Sequence, residues 1–353
     1  MLIFVIILIG ILCAGMKLCG KNEFYEDYLC QKNTTTVNAI FSVLIFLSHA
    51  AQYVSLNGSL DQPYLEMRTW LGQLVVVTYL FFSGFGIMES IKKKGRSYVK
   101  GMPVNRLLKL WYQFALMLVL FIIVAFIIGR KMNLPDTLLA FTGYTSLGNS
   151  NWYLLVTFLM YIFIYLAFMV SGKHRWLGLT LTCLLTLGYV ALMIKTEHLP
   201  LRFYDTVLCF PLGMVYSAAK PYLDRLLMKN DVVWTASLAA IFTVFMYFSQ
   251  NRADSVYHRM AFLATAPLLI AVLMMKLNIS SSILDWFGRH IFSFFMLQRI
   301  PMLLLKHFGF AKEPYFFMVL CFVGTVLLAT AFDAMIEKLD PILFRKKKKA
   351  VTS

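Results

Sequence analysis

Apolar runs of about 17–22 residues recur along the whole chain, close to the roughly 20 needed to carry an α-helix across the hydrocarbon core of a bilayer. Inside such a run every backbone N–H and C=O has to be satisfied within its own segment, and that makes each run a helix. The runs fall at 1–16, 37–56, 70–90, 110–129, 151–171, 177–194, 203–219, 232–249, 260–276, 290–306 and 314–336. Between them, only 14% of the 353 residues are charged, too few to clothe a soluble domain. The fold class that follows is an all-α polytopic membrane protein, a bundle of about 10–11 transmembrane helices. Residues 1–36 read as an extra N-terminal transmembrane helix and cytosolic loop, 37–340 as one membrane domain, and 341–353 as a basic cytosolic tail. The first run has no basic residues ahead of it and is read as a span with its N-terminus outside, rather than as a signal peptide.

Orientation follows from the cations. With the N-terminus outside, the cytosolic segments are 17–36, 91–109, 172–176, 220–231, 276–289 and the tail from 337, and they hold 23 of the 33 Lys and Arg residues. The formal charge of +16 is therefore mostly a topology signal. Cations divided among short loops make a poor nucleic-acid surface, whereas Arg345 to Lys349 suit anionic lipid headgroups. The six cysteines show no CxxC or Cys/His spacing, so no metal is expected, and the oligomeric state is unconstrained.

Six segments could carry chemistry. In Ile40 to His49 an ionisable imidazole sits inside an apolar run, where charged types cost about 2.5–3.5 kcal/mol. Asn38, Ser42, Ile45, His49 and Gln52/Tyr53 share one stripe of that helix, a stripe too polar for lipid. The span alone leaves two readings open, a functional histidine and one that only bonds a neighbouring helix. Arg299, in Leu297-Gln298-Arg299-Ile300-Pro301, is the second costly group, and Pro301 frees the carbonyl of Leu297. His49 and Arg299 each lie roughly 15–18 Å from the cytosolic ends of their predicted spans, so they are expected to line one cavity just past the midplane. The alternative for Arg299 is snorkelling to the outer interface.

The loop from Lys92 to Lys109 has seven basic residues; Arg106 and Lys109 share a helical face and suit the phosphates of a cytosolic anionic donor, or else they only hold topology. In Phe81-Phe82-Ser83-Gly84-Phe85-Gly86 the glycines favour close helix packing. Asn151, Trp152 and Tyr153 begin the fifth span, as interfacial anchors or as a cavity wall. Asp205 is expected to pair with Arg202 in its own helix or to orient an imidazole.

In order, these segments resemble the acyltransferase 3 family of integral membrane acyltransferases, from about residue 24 to 340. The resemblance rests on Asn38 to His49, Phe81 to Gly86, Asn105 to Leu110, Asn151-Trp152-Tyr153-Leu154, Phe210-Pro211-Leu212-Gly213-Met214, and Gly288-Arg289-His290 through Pro301. The family pattern has a basic residue eleven positions before the histidine, where this chain has Asn38. The resemblance implies O-acylation, usually acetylation, of a hydroxyl on a cell-envelope glycan or lipid-linked sugar at a bacterial cytoplasmic membrane. The acyl donor would be a cytosolic thioester, acetyl-CoA or another acyl-CoA, used as a co-substrate with no bound cofactor. His49 is then the base or the acyl carrier, with Arg299 beside it as the second catalytic residue. Arg106 and Lys109 hold the donor. Gln298, Ser83, Trp152, Asn151, Gln52 and Asn38 line the acceptor or oxyanion cavity. A transporter or flippase of a polar or anionic metabolite is the competing class, weakened by the lack of an inverted repeat or of paired Gly/Pro-broken helices. An inactive scaffold is the third.

Overall fold

The computed structural model describes residues 2–59 and 61–344, so the Arg345–Lys349 cluster lies outside the described residues. The helices in chain order are α1 (Leu2–Gly15), α2 (Gln31–Ala50), α3 (Gln62–Leu71), α4 (Leu74–Lys94), α5 (Arg96–Met102) and α6 (Lys109–Ile127). They continue with α7 (Leu134–Ala140), α8 (Trp152–Ser171), α9 (Arg175–Thr196), α10 (Cys209–Leu227), α11 (Asp231–Gln250) and α12 (Val256–Met274). The last four are α13 (Ser282–Arg289), α14 (Ile291–Leu297), α15 (Arg299–His307) and α16 (Pro314–Leu343). Two three-residue strands, β1 (Met16–Leu18) and β2 (Leu277–Ile279), pair antiparallel with Met16 opposite Ile279. Among the described residues, seven helical stretches are long and apolar enough to cross a membrane. Helices α2, α10 and the α14–α15 pair run among them, packed on α4 and α16. The chain is thus a multi-pass α-helical membrane protein, with one end of the bundle carrying most of the cations.

The expected spans shift at four places. α1 has 14 residues, about 21 Å of helix, short of the roughly 30 Å hydrocarbon core. α2 starts at Gln31 rather than 37. The polar stretch ahead of Val37 is helical, and its threonine hydroxyls are satisfied on the helix backbone, Thr34 Oγ1 on Cys30 O and Thr36 Oγ1 on Lys32 O, both at 3.1 Å. α2 also ends at Ala50 rather than at 56, so His49 occupies the last turn of its helix instead of the middle of a span. The seventh span starts at Cys209, since residues 201–208 form a 3₁₀ turn and bends. The tenth is broken into α13, α14 and α15, with interruptions at His290 and Gln298.

Helices α4 and α10 form the tightest crossing. A Cβ on Gly84 would lie 2.0 Å from the carbonyl oxygen of Phe210, and one on Gly213 would lie 1.9 Å from that of Phe81. Two glycines on facing helices, each seated on the other's backbone, give the close approach that small residues allow in a membrane bundle. The crossing fixes α4, whose length spans both cavities described next.

Candidate active site

Two cavities enter from opposite ends of the bundle and share walls from α2, α4 and α8. At the cation-rich end a cavity of about 880 Å³ is lined by Gln31 and Thr34 of α2, Ser83, Gly86 and Ser90 of α4, and Tyr161 of α8, among others. At the other end a cavity of about 330 Å³ is lined by Ser48, His49 and Gln52, by Val75 and Val76 of α4, and by Trp152 of α8. Between them Ile45, Val76, Tyr79, Tyr153 and Phe295 close a neck around a void of about 10 Å³, barely the size of a water molecule. The rings interlock there: Tyr79 and Tyr153 lie 6.3 Å apart, Tyr153 and Phe295 5.7 Å, and Phe295 and His49 6.4 Å. Tyr79 donates its hydroxyl to the carbonyl of Asn38 at 2.7 Å, pinning α4 to α2 at the neck.

In the basic cavity, four cations face four carboxylates. Lys92 pairs with Glu89 at 2.6 Å, and Lys220 with Asp224 at 2.5 Å. Tyr28 donates to Asp224 at 2.9 Å and lies under the ammonium of Lys220; its burial pushes the phenol far above its ordinary range, so it stays a neutral donor. Glu26 and Asp27 complete the acidic set. Arg106 and Lys93 have no carboxylate partner among the described residues. Arg106 reaches only Tyr98, donating Nε to its hydroxyl at 3.2 Å with the guanidinium 5.9 Å from the ring centre. Lys109 does not line the cavity: it pairs with Asp340 near the end of α16. The expected shared face fails because Pro103–Leu108 is a π-helical turn, which rotates Arg106 away from Lys109. Ser83 opens into this cavity, on the far side of the neck from His49.

The His49 cavity collects the other expected residues. Gln52 and Tyr53 follow α2 in a tight turn, with Gln52 N bonded to His49 O at 3.0 Å. That turn brings them to Arg299, which donates Nη2 to Gln52 Oε1 at 3.2 Å, Nη1 to the Tyr53 hydroxyl at 3.3 Å and Nε to Ser150 Oγ at 3.3 Å. Arg299 thus stands directly behind the wall rather than snorkelling out alone. The imidazole of His49 lies within the electrostatic reach of Arg299 and Arg68 and within bonding reach of Gln298. Gln298 is fully buried; its Nε2 donates to Phe295 O at 2.8 Å, which leaves Oε1 as an unpaired acceptor. His49 Nδ1 is likewise buried and has no hydrogen-bond partner among the described residues, so the two unpaired atoms are complementary in kind, an imidazole nitrogen that can carry a proton and an amide oxygen that can accept one.

Three other expected residues lie outside the lining of the His49 cavity. Asn151 donates Nδ2 to Gly143 O at 2.8 Å and to Tyr144 O at 3.0 Å, clamping the loop before α8. Asn38 sits near the neck on the stripe of His49, its Oδ1 buried and unpaired. Asp205 pairs with Arg259 of α12 at 2.8 Å, not with Arg202, because it precedes α10 and shares no helix with Arg202. Arg68 is the residue missed by sequence reasoning. Its side chain lines the His49 cavity and donates Nε to Ser48 Oγ at 3.2 Å. The one hint was a lone cation at the apolar start of the third span.

Among known families, a model described as an acyltransferase domain matches residues 37–334, nearly the whole chain. No curated protein and no solved structure matches it.

Proposed function

The chain belongs to the acyltransferase 3 family, a membrane acyltransferase by descent, and from that premise we propose that it moves an acetyl group from a cytosolic thioester to a hydroxyl of a cell-envelope glycan or lipid-linked sugar. The observation that carries this reading is the pair of cavities on one axis, separated by a thin neck with His49 on its far side. A transfer across a bilayer needs a site open to each side and a short path between them. The cation-rich end faces the cytosol under the positive-inside rule, which puts the larger cavity on the donor side.

In this reading acetyl-CoA enters as a co-substrate, with its phosphates on Arg106 and Lys93, the two cations without a resident carboxylate. The slim acyl-bearing arm extends past Ser83 to the neck, where Tyr79, Tyr153 and Phe295 move aside to admit it. His49 is the base. Gln298 Oε1 accepts the Nδ1 proton and holds the tautomer that leaves Nε2 free. Nε2 takes the proton of the acceptor hydroxyl as its oxygen attacks the thioester carbonyl carbon. The resulting oxyanion collapses, the C–S bond breaks, and the thiolate leaves with the proton that His49 returns. Arg299 supplies positive charge beside the site as the oxyanion forms. Gln298 is on this account an orienting acceptor rather than an oxyanion donor, because its amide N–H is already committed to Phe295.

The test is reconstitution of purified protein in sealed vesicles with labelled acetyl-CoA on one side. Acceptor-dependent release of free CoA, abolished by His49→Ala in a protein of unchanged unfolding temperature, is the expected result. Acyl transfer that survives His49→Ala overturns the site; proton-driven uptake of a metabolite without thioester turnover overturns the function.

A further inference from the structure

The His49 cavity carries positive charge that nothing resident neutralises. Among the described residues no Asp or Glu lines it, in contrast to the four carboxylates of the basic cavity. Arg68 is in its wall and touches only the neutral hydroxyl of Ser48, with no carboxylate partner among the described residues. Arg299, behind Gln52, is held by three neutral oxygens. The helix breaks at Gly72, where φ is +43°, and Gly72, Gln73 and the first turn of α4 also line the cavity, adding the partial positive charge of a helix N-terminus.

The transfer reaction does not account for all of this charge. Its oxyanion is one transient negative charge, and Arg299 beside the imidazole meets it. Arg68 comes from a different helix and remains over. A half-buried guanidinium bonded to one neutral hydroxyl keeps most of its N–H donors free for a ligand in the cavity. Its planar fork matches a carboxylate or a phosphate, on which it can place two parallel hydrogen bonds.

We propose that the acceptor is anionic: it bears a carboxylate or phosphate close to the hydroxyl that receives the acyl group, and Arg68 binds that anion. The proposal rests on the His49 cavity being the acceptor side. The volume of about 330 Å³ lies at the small end of ligand pockets, which suits one charged sugar unit presented at the end or side of a longer acceptor. Arg68 then fixes the anion while Ser48, His49 and Gln52 face the neighbouring hydroxyls.

The experiment measures binding without any acyl donor, so it does not depend on turnover. Purified protein in zwitterionic detergent is titrated by calorimetry with a methyl uronide, a sugar phosphate, the matching neutral methyl glycoside and inorganic phosphate. The expected result is at least tenfold tighter binding of the charged sugars than of the neutral one. That preference should disappear in Arg68→Gln, weaken in Arg68→Lys, and persist in His49→Ala and Arg106→Gln. Equal binding of charged and neutral sugars overturns the proposal, as does a preference that survives Arg68→Gln or is lost in Arg106→Gln. Inorganic phosphate binding as tightly as the sugar phosphate also overturns it, since the site would then hold an anion without an acceptor. Should Arg68→Gln not fold, the Arg68→Lys result decides. Charged-sugar binding in a protein that transfers no acyl group would leave the anion site standing and remove only the transfer reading.

Discussion

The two cavities draw on the same three helices and still differ in kind. The larger is a mixed-charge chamber in which Glu89 and Asp224 quench two of its cations, leaving Arg106 and Lys93 for a ligand. The smaller has no acid in its lining among the described residues; Arg68 in its wall and Arg299 behind it are held by hydroxyls and one amide, and His49 Nδ1 is unpaired. The difference shows how a single helix serves two chemistries. Along α2, Thr34 faces one chamber, Ile45 the neck and His49 the other chamber. Along α4 the same order is Ser83, Tyr79 and Val76. Reactivity is therefore a matter of depth along a common wall, and each substitution should act on one chamber alone.

The largest separation is expected from His49→Ala. The maximal rate should fall by about 10²–10⁴, the range for losing a positioned general base, while donor KM stays put. Stopped assays of CoA release over a range of acetyl-CoA check it; a raised donor KM at unchanged maximal rate would assign His49 to the wrong chamber. Next comes the double variant Lys93→Gln/Arg106→Gln, which should raise donor KM about tenfold or more, worth 1.4 kcal/mol per decade, with the maximal rate nearly kept. An unchanged donor KM would remove phosphate binding from the larger cavity.

Smaller effects sharpen the neck between them. Ile45→Ala widens it beside Phe295, and the ratio of butyryl to acetyl transfer should rise roughly fivefold, within what a few methylenes are worth in a pocket. Competition between the two labelled donors measures this ratio, and an unmoved ratio would mean that the acyl group does not pass the neck. Lys109→Gln should be the quietest. It breaks a half-exposed pair with Asp340, worth about 0.2–1 kcal/mol in thermal unfolding, with donor KM unchanged. A donor KM that follows Lys109 would restore it to the binding site.

Much of this arrangement is legible in the residues. Hydropathy marks most spans, because the bilayer imposes a length and a polarity on every crossing helix. The stripe of Asn38, Ser42, Ile45 and His49 is visible because a helix repeats every 3.6 residues. The order of motif segments gives the family, and the family match agrees over residues 37–334. What hydropathy misreads are the two ends of α2, which starts among polar threonines satisfied on the helix backbone and stops at Ala50, and with them the depth of His49. It also misses Arg68, since a lone cation at the mouth of a span looks the same whether it meets headgroups or a cavity.

The class of molecule, its helical stripes and its two expensive ionisable groups can be read along the chain, because they follow from local periodicity and from the intolerance of hydrocarbon for charge. Which groups meet is a property of the folded bundle. It placed Arg68 and Arg299 around His49, sent Lys109 to Asp340, and put Ser83 and His49 on opposite sides of one neck. Those meetings join residues far apart in the chain, and they depend on contacts such as Gly84 and Gly213 seating α4 on α10. Such contacts are set by side-chain shape across helices, a quantity that no pattern along one helix contains.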